Sequence, residues 1–113
     1  MTQLPYHLSA AEQDILNERR GQSTREGFSV THDDRHIGFQ LSQAADEYLR
    51  AAVFCGRHPE VNPELVRPSG SWPWSPRWWK PCAPRRMLVK AAALLIAEIE
   101  RMDRAARRNG GPV

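Results

Sequence analysis

Three places in this chain gather side chains that can do chemistry. One is His32-Asp33-Asp34-Arg35-His36, two imidazoles and two carboxylates in a single short run. Another is Glu98, a lone carboxylate inside the apolar stretch from Leu88 to Ile99. The third runs from Trp72 to Pro81, holds all four tryptophans, and is followed by Arg85 and Arg86. Indole faces stack on nucleobases and on guanidinium groups. Arginine grips phosphate with a bidentate fork. Trp74, Arg77, Trp78, Trp79, Lys80 and Arg86 can therefore supply a base platform and phosphate cations. His32, Asp33, Asp34 and His36 can take polar groups such as ribose hydroxyls, and Glu98 can make a further ligand contact.

Each place also has a plainer use. Tryptophans bury large areas and are often core; Trp78 and Trp79 are adjacent and point differently, so one can be core while the other is not. The acidic and imidazole run can cap a helix, carry surface charge or hold a divalent metal. Its spacing is far less diagnostic than HExxH. Glu98 sits about 60° from the centre of an apolar helical stripe. A carboxylate there needs a partner, either a structural donor or a metal or ligand. Whether any metal binds is left open by the residue types.

The elements that must position these groups are helical. Ser9-Ala10-Ala11-Glu12 is a capping-box pattern, and a first helix is expected over about 10–26, with Gly27 as its stop. Its apolar face is thin (Ala11, Ile15, Leu16), and its second half reads as a solvated face. A second helix is expected over 33–55, capped by Thr31 or Asp33 and stopped by Gly56. Ile37, Leu41, Ala44, Ala45, Tyr48, Ala52 and Cys55 form its stripe at 100° per residue, with Asp34 on the same side. Gly38 would lie inside that helix at a cost of about 1 kcal/mol. A third helix is expected over 85–108, with Leu88, Ala91, Ala92, Leu95, Ile99, Met102 and Ala106 as its stripe, widened by Leu94 and Ile96 so that the middle is buried broadly. Between the last two, prolines 59, 63, 68, 73, 76, 81 and 84 forbid a long helix. The tryptophans argue against disorder there, so residues 57–84 are expected to be an ordered loop. The fold class is all-α: one three-helix compact domain over 1–113 with a long Pro/Trp-rich loop.

Composition sets the partners. The chain has 113 residues, 16 Lys plus Arg against 13 Asp plus Glu, and a net charge of +3. Only Lys80 and Lys90 are lysines. This favours an anionic partner, while the interspersed acids weaken a nucleic-acid footprint. No apolar run approaches the roughly 20 residues of a membrane helix, and no signal-peptide pattern opens the chain. A cytoplasmic location without a membrane partner is expected, with Cys55 and Cys82 as reduced thiols. A stripe this wide on three helices also admits a homo-oligomer.

Taken together, Glu26-Gly27, His32-Asp33-Asp34, Gly38, Trp72-Pro73-Trp74, Trp78-Trp79-Lys80-Pro81, Arg85-Arg86 and the run Leu88-Val89-Lys90-Ala91 through Glu98-Ile99-Glu100-Arg101 resemble a family of small proteins of tailed bacteriophages and prophages. The resemblance spans about residues 18–105 and implies a phage-accessory setting in a host cell, without an activity. A fainter likeness is to all-α nucleotide pyrophosphohydrolases of the MazG kind, which hold Mg²⁺ on acids of neighbouring helices. For that role Asp34, Glu47, Glu98 and Asp103 are the acids to consider. The paired acidic motifs of that group are not matched: Gln40 replaces a carboxylate, and Glu98 and Asp103 diverge by about 140°.

The expected function is therefore binding of a nucleotide-like small anion without turnover and without a cofactor, in the manner of phage proteins that sequester host immune nucleotide signals. A Mg²⁺-dependent MazG-like hydrolase and a host-protein interaction module using the tryptophan loop are the alternatives.

Overall fold

Ser9 and Glu12 start the first helix by satisfying each other. The Ser9 N–H donates to Glu12 Oε1 at 2.9 Å, and the Glu12 N–H donates to Ser9 Oγ at 3.1 Å. Two otherwise orphan donors are thereby paired. The computed structural model describes residues 7–25 and 38–110, and in it this helix, α1, spans Ala10–Arg25. Helix α2 spans Gln40–Arg57 and α3 spans Pro84–Arg108, with Pro84 at its first turn. The 58–83 connection contains two single 3-10 turns, Pro63–Leu65 and Pro76–Trp78. The architecture is all-α, with no strand among the described residues.

The start of α2 corrects the expectation of a helix from 33. Gly38 has φ 75° and Phe39 has φ 64°. Two successive left-handed residues cannot continue a right-handed helix. Gly38 is thus not a helix-interior glycine but part of the bend that precedes α2. At the other end the helix runs through Gly56 to Arg57, and the His58 N–H closes it on the carbonyls of Phe54 and Cys55. The expected caps Thr31 and Asp33, the stop Gly27, and the stripe positions Asp34 and Ile37 lie outside the described residues.

Helices α2 and α3 run antiparallel. Ser42, near the start of α2, meets Glu98, while Tyr48 further along meets Lys90. Leu41, Ala44, Ala45, Tyr48, Ala51, Ala52 and Cys55 pack against Met87, Ala91, Leu94 and Ala97. Most of these are alanines, so the backbones approach closely. Leu41 and Met87 are the largest fully buried side chains, each contributing about 1.5–3 kcal/mol of burial. Helix α1 packs on α3, tied by Arg85 to Asp14 at 2.9 Å and by Arg19 to Glu100 at 3.0 Å. Its second half is not simply a solvated face, because Glu18 is buried against Arg86.

The buried face of α3 also differs from the expected stripe. Met87, Val89, Ala91, Ala93, Leu94, Ala97 and Glu98 are buried. Leu88 and Leu95 are each 46% exposed, Met102 45% and Ile99 57%. This helix is apolar around most of its circumference, so periodicity alone does not select the inward side. Its small-residue faces admit α1 and α2, and the bulky Leu/Ile/Met seam is left outward.

Candidate functional site

Tyr48 is the centre on which the tryptophan loop is built. Its ring is buried on α2 and stacks on Trp79 with centroids 4.6 Å apart and planes at 23°. Trp72 meets it edge-on at 5.8 Å, and also meets Trp74 and Trp79 edge-on at 5.5 and 5.1 Å. Such geometries suit the ring quadrupoles and add about 0.5–1.5 kcal/mol each beyond burial. The Tyr48 hydroxyl accepts from the Lys80 N–H at 3.0 Å. Lys90 lies 5.4 Å over the Tyr48 ring and donates to the Lys80 carbonyl at 3.0 Å. The indole N–H of Trp79 donates to the Val66 carbonyl at 2.8 Å, and that of Trp72 to the Ser75 carbonyl at 3.1 Å.

A buried carboxylate ties the same loop to α2. Glu47 is 5% exposed and accepts the Ser69 N–H at 2.7 Å and the Ser69 hydroxyl at 2.6 Å. Both oxygens are used, which meets the requirement that a buried carboxylate be paired. The loop is thus held by its main chain as well as by its rings.

Glu98 turns out to be a helix cap from a neighbouring helix. One of its oxygens accepts the Ser42 N–H at 3.2 Å and the Ser42 hydroxyl at 3.0 Å; the other accepts Arg101 Nε at 2.5 Å. Ser42 belongs to the first turn of α2, where N–H groups have no acceptor within the helix. A negative charge also suits that end of the helix dipole. The Ser42 level lies six residues, or about 9 Å, along α2 from Tyr48. The partners of Glu98 are thus Ser42 and Arg101 and not the tryptophan loop. The loop reaches Glu47 instead, through Ser69.

The expected ligand set therefore separates. Trp74 and Trp79 pack against the core together with Trp72. Trp78 is half-buried on the Pro76–Trp78 turn, and the exposed Arg77 guanidinium lies 5.0 Å over its ring. Lys80 is exposed beside this turn. Arg86 pairs with the buried Glu18. His32, Asp33, Asp34 and His36 lie outside the described residues. Among the described residues, no group of three or more His, Cys, Asp or Glu is placed to hold a metal ion.

Cys55 is buried and Cys82 half-buried, both as free thiols. Burial pushes the Cys82 thiol up from its ordinary pKa, against the opposing pull of Lys90 and Arg86. No helix among the described residues is long and apolar enough to cross a membrane.

Four residues that shape the site had no claim on sequence grounds. Tyr48 was one apolar stripe position among seven, Ser42 and Ser69 are ordinary serines, and Glu18 lies in a polar stretch. The signal in the sequence is the cost of desolvating a charge. A carboxylate such as Glu47, next to a core tyrosine, must find donors, and Ser69 in Pro68-Ser69-Gly70 supplies a turn with a free N–H and a hydroxyl.

No protein-family model matches this chain, and neither a curated protein nor a solved structure is significantly similar to it.

Proposed function

We propose that this protein is a non-enzymatic binding protein, a phage accessory factor that takes a nucleotide-like small anion and sequesters it in the host cell. The observation that carries the proposal is the Arg77–Trp78 pair. An exposed guanidinium lies over a half-buried indole on a short turn whose flanks are pinned by Trp79, Lys80 and Ser75. A pinned turn loses little freedom on binding, and a stacked arginine and indole offer a charge for phosphate and a face for a base. Lys80, just past the same turn, adds a second exposed cation. The net charge of +3 supports an anionic ligand.

The Mg²⁺-dependent hydrolase draws less support. Glu47 and Glu98, two of the acids it would use, already accept hydrogen bonds from Ser69, Ser42 and Arg101. The second reading is a host-protein interaction module acting through the same turn. The partial exposure of Trp78 beside Arg77 favours it.

Isothermal calorimetry against cyclic dinucleotides, ADP-ribose derivatives and nucleoside triphosphates tests the proposal. Saturable heat with one class, weakened at least tenfold by Arg77→Ala without loss of folding, is the expected result. Silence across the panel with folded protein overturns it. A host partner captured only when Trp78 is intact, with no small-molecule heat, selects the second reading.

A further inference from the structure

We infer that the outward seam of α3, with the adjoining edge of α2, is the interface through which two copies of this chain form an antiparallel dimer. Leu88, Ala92, Leu95, Ile99, Met102 and Ala106 alternate at spacings of four and three. That is the a/d repeat of a helix seam built for another helix. The large members are the four that stay about half exposed on α3. Beside them, Leu49 is 46% and Val53 42% exposed on α2. Between the two helices an open apolar groove of about 380 Å³ is floored by Ala45, Ala91 and Ala92 and walled by Leu49, Leu88 and Leu95.

Two features single out a second copy as the occupant. The first is that the seam matches its own reverse. A two-fold axis near residue 97 pairs Leu95 with Ile99, Ala92 with Met102 and Leu88 with Ala106. In an antiparallel pair an a position faces a d position, and here a small residue faces a large one in two of the three layers, as interdigitation requires. The second feature is area. Leu49, Val53, Leu88, Leu95, Ile99 and Met102 leave roughly 500 Å² of apolar surface in water, at the upper end for a monomer. A standard interface of about 800 Å² per partner, about 65% apolar in homodimers, needs roughly that amount. No lysine or arginine lines the groove, which disfavours an anionic occupant. The seam does not include Arg77 or Trp78, so this inference and the ligand proposal fail separately.

Sedimentation of the full chain between about 1 and 200 µM tests it. The expected mass is twice 12.9 kDa, and Ile99→Glu should raise the dissociation constant at least 100-fold while far-UV circular dichroism is kept. Should Ile99→Glu fold poorly, Met102→Lys reads the same seam nearer its end. A cysteine introduced by Ile99→Cys should be protected from alkylation in proportion to dimer. A wild type that stays monomeric at 200 µM overturns the inference. So does a dimer indifferent to both variants, or an Ile99→Cys thiol protected in the monomer, since another segment or partner then covers the seam.

Discussion

The Glu98 carboxylate on α3 holds the N–H and hydroxyl of Ser42 at the first turn of α2, at 3.2 and 3.0 Å. The residue that most invited a metal or ligand role is thus spent on fastening two helices together. With Arg101 on its other oxygen, it forms a three-residue clamp at 3% exposure. Removing the carboxylate strands a buried N–H and an arginine that is itself largely covered.

Glu98→Ala is therefore expected to cost about 3 kcal/mol of stability, and Ser42→Ala about 1 kcal/mol. Because the two share one hydrogen-bond network, the double variant should cost less than the sum of the singles. Urea unfolding of the four proteins measures this. Additive costs would mean that the clamp does not act as a unit.

The four tryptophans are expected to split in stability. Trp79→Ala removes a ring stacked on Tyr48 and an N–H bonded to Val66, and should cost about 3–5 kcal/mol. Trp78→Ala should cost less than Trp79→Ala, because the ring is half-buried and not among those packed on the core. Thermal unfolding by near-UV circular dichroism separates the two.

The bend before α2 gives a backbone prediction. Gly38 has φ +75° and nothing within 4 Å of where a Cβ would sit. Gly38→Ala should cost about 1–2 kcal/mol purely through the left-handed conformation, while Gly56→Ala, in the helix and equally open, should stabilise by about 0.5–1 kcal/mol. Opposite signs in chemical denaturation check the reading.

Cys82 supplies the pH dependence. Burial raises its pKa, so the folded chain keeps the thiol proton at a pH where the unfolded chain has released it. The stability this group contributes is present below the unfolded thiol pKa and is lost as pH rises through the folded value. Alkylation of Cys82 should accordingly be slower than that of an unfolded control at pH 8, with its rate midpoint shifted to higher pH. Measured iodoacetamide rates against pH test both statements.

Much of this fold was legible from local chemistry. The Ser9–Glu12 capping box, the proline opening α3 and the stripe from Leu41 to Cys55 each follow from residues within a turn or two of one another. The failures came where non-local packing decides. Leu88, Leu95, Ile99 and Met102 form the most hydrophobic stripe on α3, yet the alanine-rich faces turned inward, because close helix approach favours small side chains. Nothing in the residue type of Phe39 marks a left-handed conformation, so periodicity alone starts α2 too early. Within the site, the stacking of Arg77 on Trp78 is a neighbour effect that spacing anticipates. The reach of Ser69 to Glu47 spans 22 positions, and no local pattern encodes it.

The most direct measurement of the division between structural and binding indoles is an NMR titration of the four indole N–H resonances, each assigned by single substitution. A nucleotide-like anion that binds should move the Trp78 resonance in a saturable way and leave those of Trp72 and Trp79 in place. A panel that moves no resonance, or moves those of Trp72 and Trp79 while leaving Trp78 unchanged, would contradict a ligand seated on the Arg77–Trp78 turn.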